Sequence, residues 1–341
     1  MAARAGVSVA TVSRVVRGKY HVSPTTAAKV RKAVAELDYV ANAQARALAG
    51  SSSGMVAVLT SDVTSAFYNH ITRGISRQVA VENRLCLVGT TEGDLDREMA
   101  MLGLLRGQDT SAVVLIGGVS DSAEYRERIG VLARSLDAAG SRLVLCGRPS
   151  PGGDAPVTVV EYDSEGGAFA ITSHLLSKGH ERILFFGGLA GTTTTVPRVT
   201  GYQRALEAYG IEPDPALVIH GDRSSRRGAY EQMTRLVTDR AVDFSAVFAC
   251  DDLVALGVLR ALRDQGVSVP DDISVVGYDD IPAAMDAVPP LTTVHVPLEQ
   301  IGRTAVELAL SRSDVDARGG QHVVLGTHIV VRDTVAPRIR K

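Results

Sequence analysis

The chain changes its hydrophobic rhythm near residue 55. Beyond that point, short continuous apolar runs recur: MVAVLT (55–60), LCLVG (85–89), AVVLI (112–116) and RLVLC (142–146), then RILFF (182–186), ALVIH (216–220), AVFA (246–249) and ISVVG (273–277). Helical stretches separate them. Continuous apolar strands that alternate with helices belong to parallel sheets covered on both faces. Two successive sets of about four predict two similar α/β subdomains. Ligands in such folds sit beyond the carboxyl ends of the strands, which here means a cleft between the subdomains.

Ahead of residue 55 the apolar period is helical. Ala2-Ala3-Arg4-Ala5-Gly6 reads as a short helix stopped by glycine. Ser8 suits an N-cap, and Val12 with Val15 or Val16 can face a core. Thr11, Ser13, Arg14 and Arg17 are left on polar faces, and Ala2 is small enough to let two helices cross closely. A third helix begins at the cap Ser23 with Pro24 in its first turn, and repeats Ala27, Val30, Val34 and Leu37 at helical spacing. Two helices joined by a short turn, with a third beside them, make a helix-turn-helix head whose second helix enters the DNA major groove. Ser, Thr and Arg bond phosphates and base edges there, and Val or Ala touch a thymine methyl. Asn42 and Gly50 then bracket a short alanine-rich helix, marginal in isolation, and SSSG (51–54) reads as a linker.

Charge sharpens this division. Residues 1–50 hold eight Lys/Arg and two acids, a balance of +6, so the remainder carries −8 of the net −2. A basic head on an acidic body points to a polyanionic partner for the head. No run approaches the length of a membrane span, and the N-terminus has no apolar signal-peptide core. The three scattered cysteines read as reduced thiols, so the expected location is the cytoplasm.

The motifs GVSVATVSRVV, HVS (21–23), LDYVAN (37–42) and ALAG (47–50) together resemble the DNA-binding head of the lac repressor (LacI/GalR) family of bacterial transcription regulators. By that resemblance Ser8, Val9 and Ala10 begin the recognition helix, and Thr11, Ser13, Arg14, Arg17 and His21 join the DNA contacts. Residues 42–49 match the hinge helix that folds on the minor groove, with Asn42, Ala45 and the wedge Leu48 at the DNA. Ala41 stands where proline is usual, and Arg17 where asparagine is common. The family's head normally has several more residues before the match to Met1, so a longer N-terminus is expected to bind DNA better.

The body resembles the same family in LTSDVTSAFYNHITRGI (59–75), GGLAGTTTTVPRVTGYQRAL (187–206), FACDD (248–252), VVGYDDIP (275–282) and PPLTTVHVP (289–297). The implied fold is an N-terminal helix-turn-helix head on a periplasmic-binding-protein-like body of two doubly wound parallel-sheet subdomains. The implied effector cleft holds Ser65, Phe67, Tyr68, Asp163, Thr192, Thr194, Arg198, Arg223, Asp251 and Asp279. Carboxylates accept from hydroxyls, arginine donates in a fork and an aromatic covers a sugar face, which suits a polyhydroxylated ligand. Ala66 replaces a usual proline, Asp251 a usual asparagine, and Arg223 sits where a stacking aromatic is frequent. A second arginine there favours an anionic ligand, and a surface arginine in the run Arg223, Arg226, Arg227 is the plain alternative.

The expected division is 1–50 for the head, 51–54 for the linker, 55–156 with 294–321 for the first subdomain, and 157–293 with 322–341 for the second. The expected function is a ligand-responsive repressor that binds a pseudopalindromic operator on double-stranded DNA as a homodimer and senses a sugar or sugar derivative. VVRDTVAPRIRK carries no leucine-heptad extension for tetramers. No membrane, cofactor or metal is expected. Gly187-Gly188-Leu189-Ala190-Gly191 is too weak a phosphate loop, adjacent acid pairs rarely both ligate, and no nucleophile elbow occurs. A transport-type solute-binding protein or a sugar-acting enzyme on the same α/β scaffold are the other readings. The first needs an exported N-terminus and no basic head.

Overall fold

The punctuation residues of the head set its elements locally. α1 (Ala2–Ala5) stops at Gly6, which takes a left-handed φ of 66° that costs glycine no Cβ clash. α2 (Val9–Arg17) starts at Ser8, whose Oγ accepts from Thr11 N at 3.1 Å. α3 (Pro24–Glu36) starts at Ser23, which caps Thr26 N at 3.4 Å. Ala5, Val30 and Ala33 form the buried centre, and Met1, Val7, Val12, Val15 and Val34 pack around it. Leu37, expected in that core, is 48% exposed instead, at the C-cap where α3 ends. The computed structural model describes residues 1–17, 22–37, 54–221, 225–239, 243–311 and 320–338, and side chains at 16 and 17 fall outside the description. The expected hinge helix at 42–49 and linker at 51–53 lie outside it too.

The first subdomain follows as β1 (Met55–Thr60), α4 (Ala66–Val81), β2 (Cys86–Thr90), α5 (Leu95–Arg106), β3 (Thr110–Ile116), α6 (Ala123–Ala138), β4 (Arg142–Cys146) and β5 (Val157–Tyr162). The second holds α7 (Ser164–Ser177), β6 (Ile183–Phe186), α8 (Thr195–Ala208), β7 (Val218–Ile219), α9 (Arg226–Asp239), β8 (Ala246–Ala249), α10 (Asp252–Asp264), β9 (Ser274–Val276) and α11 (Pro282–Met285). The chain then runs through β10 (Thr293–His295), α12 (Leu298–Leu310), β11 (His322–Leu325) and β12 (His328–Val330).

The first sheet is parallel in the order β11-β5-β4-β3-β1-β2, and the second in the order β7-β6-β8-β9. Period-two alternation explains why the first sheet's strands are apolar throughout. Val56, Val58, Ala112 and Val114 face Ile71 and Ile75 of α4 and Ile301 of α12. Their neighbours Ala57, Leu59, Val113 and Leu115 face Leu102 of α5 and Tyr125 and Ile129 of α6. The sheet is therefore covered twice, as the sequence pattern requires.

One boundary differs from expectation. Residues 157–162 and 322–325, assigned by sequence to the second subdomain, both extend the first sheet: Leu143 pairs with Val157, and Val159 with His322. β5 and β11 lie far apart along the chain, so no local pattern marks their pairing. The tail beyond β12 does join the second subdomain, where Val275 N donates to Thr334 O and Arg338 N to Lys178 O. His180 secures it with Nε2 at 2.9 Å from Ala336 O. Among the described residues no helix is long and apolar enough to cross a membrane.

Candidate functional site

Two surfaces carry candidate chemistry. On the head, Val9 is 76% exposed at the start of α2, and Ser8, Ala10 and Arg14 are exposed beside it. Thr11 and Ser13 are half-buried on the same helix. Nothing in the head's own core uses Val9, so an apolar side chain is presented outward at the first turn of the second helix. The neighbouring basic residue Arg4 is engaged elsewhere, with Nε 2.8 Å from Glu36 across α1 and α3. That pair ties the helices together and leaves α2 as the presenting surface. His21, Asn42, Ala45 and Leu48 lie outside the described residues, as does the Arg17 side chain.

The second surface is a cleft of about 1040 Å³ between the subdomains, at the carboxyl ends of their strands. Ser65, Phe67 and Tyr68 enter it from the loop after β1 and the start of α4. Phe67 meets Tyr68 edge-on at 5.3 Å and Tyr162 at 6.4 Å, which gives one wall an aromatic lining. Thr192 and Thr194 approach from the loop before α8, and Arg198 from its first turn. Asp251 ends β8 and caps α10, while Asp279 follows β9. The subdomains touch directly at one side of the cleft: Thr193 N donates to Val119 O at 2.9 Å, and Val119 N to Thr193 Oγ1 at 3.1 Å.

Arg198 organises the second wall. Its guanidinium donates to the Cys250 carbonyl, to Tyr162 Oη at 3.0 Å and to Asp279 Oδ1 at 3.0 Å, and it lies 3.9 Å above the Tyr278 ring. Its buried Nε has no protein partner. The remainder of the Arg198-x-x-Gly201-Tyr202 run is structural. A Cβ on Gly201 would overlap the Glu165 carbonyl where α7 crosses α8, and Tyr202 donates from the core to Ile183 O at 2.7 Å.

Asp279 is held in an unusual state. Its φ is 106°, and Asp280 follows at 55°, conformations that non-glycine residues keep only when their surroundings enforce them. Asp252 supplies much of the enforcement: its buried carboxylate accepts from Ile281 N at 2.8 Å and from Thr293 Oγ1 at 2.6 Å. Burial drives Asp252 well above the usual carboxylate range, and the nearby Asp279 adds to the rise. Burial likewise pushes the Asp279 carboxyl up to about 7; Arg198 pulls it back and Asp251 raises it.

The structure thus brings eight of the ten sequence-chosen cleft residues together: Ser65, Phe67, Tyr68, Thr192, Thr194, Arg198, Asp251 and Asp279. Asp163 is a correction. Its carboxylate turns back on its own helix, accepting from Gly166 N at 2.8 Å to cap α7, and it lines a small recess that adjoins the cleft through Tyr162 and Thr194. Arg223 lies outside the described residues.

Sequence reasoning missed the floor of the first subdomain's wall. Arg148, just past β4, pairs both guanidinium nitrogens with Glu98 at 2.8 and 2.9 Å and reaches Tyr125 Oη at 3.2 Å. It also donates to the carbonyls of Gly117 and Ile116 at the end of β3. A signal was present: Glu98 shares the inward face of α5 with Leu102 and Leu105, and an acid on an apolar stripe needs a partner.

Comparison with known proteins fits both surfaces. Residues 1–42 match the family described as bacterial regulatory proteins, lacI family, and residues 172–335 a periplasmic binding protein-like domain. The HTH-type transcriptional regulator CelR of Thermobifida fusca is 36% identical over 339 residues, covering 98% of this chain and 96% of the relative. The solved complex of transcriptional regulator CelR with cellobiose aligns with a TM-score of 0.71 at 34% identity, covering 98% of each chain. The lac repressor dimer bound to operator and the anti-inducer ONPF aligns with a TM-score of 0.83 at 27% identity, covering 98% of this chain and 97% of that one.

Proposed function

The chain belongs to the lacI family of bacterial transcription regulators, and we propose from this that it is a ligand-responsive repressor acting in the cytoplasm. In this reading two copies bind a pseudopalindromic operator, and a sugar or sugar derivative in the cleft changes operator affinity. The observation that carries it is the coexistence in one chain of an outward-facing second helix with Val9 and Arg14 exposed and a cleft lined from both subdomains. The likeness to an operator-bound lac repressor dimer and a cellobiose-bound regulator supports the pairing of those two surfaces.

The coupling follows from geometry. A ligand that touches Phe67 and Tyr68 on one wall and Arg198 and Asp279 on the other has different contacts in each relative placement of the subdomains. Differential contact energy is what shifts such an equilibrium. Two heads read two half-sites only at a fixed spacing. The proposed hinge at 42–49, with Leu48 as its wedge, transmits that spacing, and the entropy of ordering it on DNA links ligand binding to operator affinity.

Selection of binding sites from a random duplex pool with the full chain tests the reading directly. Enrichment of a two-fold-related site is expected, and enrichment of no sequence rejects the proposal. On the selected site, Arg14→Ala should weaken binding by about 1–3 kcal/mol if it reads a base edge. Fluorescence anisotropy at two salt concentrations separates the cases: a phosphate contact lowers the salt slope by roughly one, whereas unchanged affinity removes Arg14 from the interface.

Effector binding should also depend on pH. Only ionised Asp279 offers both oxygens as acceptors to ligand hydroxyls. Because burial holds its carboxyl up to about 7 in the free protein, a ligand must displace a proton below that pH. Affinity therefore rises with pH, about tenfold per unit below 7, and levels off above it. Calorimetry between pH 5.5 and 8.5 reads the slope, and in buffers of different ionisation enthalpy it reads the released proton. A flat profile refutes this role for Asp279.

A further inference from the structure

We propose that Asp251 makes the cleft selective for an uncharged polyhydroxylated effector and turns away sugars that carry a phosphate or carboxylate. The inference rests on the cleft being the effector site and names the ligand class it admits.

Asp251 performs a structural task that needs only one neutral acceptor. Its Oδ1 accepts from Val254 N at 2.8 Å and caps α10. Asparagine or serine would cap as well, without charge. Its Oδ2 has the weak donor Cys250 Sγ at 3.6 Å, and the side chain lines the cleft. The negative charge is thus surplus to the cap and is presented to whatever enters.

Its position gives that charge leverage. The N-terminus of α10 is a helix end that by itself attracts anions. With Asp251 as cap, a carboxylate already occupies the anion position, and a ligand phosphate there meets like charge in partly desolvated space. The two arginines of the cleft do not compensate. Arg148 is matched by Glu98 and Arg198 by Asp279. Among the described residues lining the cleft, six carboxyl groups (Asp62, Glu92, Asp94, Glu98, Asp251 and Asp279) stand against these two guanidiniums, and Glu92 is further matched by Arg97 at 2.9 Å.

Hydroxyl groups fit the same surface. A ligand hydroxyl donates to Asp251 Oδ2, and the cleft also presents the hydroxyls of Ser65, Thr192 and Thr194, which can donate or accept. A polyol both donates and accepts, so it satisfies these groups together, whereas a phosphate only accepts.

The test is calorimetry and thermal shift on the full chain. The probes are glucose, galactose, cellobiose and maltose, the phosphates of glucose and galactose, glucuronate, gluconate and glucosamine. Binding confined to neutral members is expected. A best ligand bearing a phosphate, carboxylate or ammonium, or no neutral binder at all, overturns the proposal. In Asp251→Asn the cap survives, so the melting temperature should hold, while the preference for a neutral sugar over its phosphate falls at least about tenfold. Unchanged preference removes Asp251 as the determinant. Operator binding is measured alongside, without ligand and with the best ligand. Absence of operator binding both without and with the best ligand rejects the regulator reading while leaving ligand selectivity to stand or fall by itself.

Discussion

Glu98→Ala should lower the stability of the protein by about 3–5 kcal/mol, the usual consequence of leaving one member of a buried ion pair alone. Arg148 and Glu98 side chains are 4% and 6% exposed, and their two parallel hydrogen bonds satisfy both groups. Removing the carboxylate leaves a nearly buried guanidinium without its counter-charge, held by Tyr125 and the Gly117 and Ile116 carbonyls alone. In a chain of this size each kcal/mol moves the melting temperature by roughly 2–4 °C, so the drop should be plain in a thermal melt. The double variant Glu98→Leu with Arg148→Met should recover much of the loss, because neither charge is then buried. Recovery stops short of complete, since two carbonyls at the end of β3 lose their donor. A single variant within 1 kcal/mol of the parent would show that water reaches the pair.

The contrast between this pair and Arg198–Asp279 shows what local sequence can announce. Gly6, Ser8, Ser23 and Pro24 act on atoms a few residues away, so the residue types themselves mark the helix ends. The apolar strand runs act through a local period, and eight of them appear close to their expected places, although the run at 216–220 shrinks to Val218–Ile219 after the turn over Pro215–Leu217. Strands predict loops, and the loops at carboxyl ends carry Phe67, Tyr68, Arg198 and Asp279 into the cleft. The misses are non-local. β5 and β11 join across the chain, and Arg148 and Glu98 meet from separate elements; Asp163 is the exception, since its carboxylate makes a local cap to Gly166 N. Leu37 misleads for a smaller reason: its spacing is helical, but it stands at the C-cap, where α3 has ended. Asp251 illustrates a mixed case, since its capping role is local and readable while its charge matters only in company with groups from distant loops.

Arg198→Met should abolish the effector response while leaving ligand-free operator binding in place. The Arg198 side chain joins β5, the end of β8 and the 277–281 loop, through Tyr162, Cys250 and Asp279. Methionine keeps much of the apolar stem over Tyr278 but none of the donors. The ligand loses a charged donor and a fixed Asp279 together, so affinity should fall at least about 100-fold, near 3 kcal/mol. Stability should respond in a way that identifies the cause. Arg198 is what pulls the Asp279 carboxyl down against burial, so without it Asp279 titrates higher than in the parent. At pH 6 Asp279 is protonated in the folded variant, and no unpaired charge is buried. As pH rises through the parent's value of about 7, the parent gains an ionised pair, whereas the variant must either hold a proton or bury a lone carboxylate. The stability gap between the two should therefore widen from pH 6 to pH 8.5, read by denaturant melts at each pH. Arg198→Lys should not rescue the response, because one ammonium cannot reach Cys250, Tyr162 and Asp279 in the fork that a guanidinium spans. A normal effector response in Arg198→Met, or a stability gap that narrows with pH, would break the link between this arginine, Asp279 and the ligand.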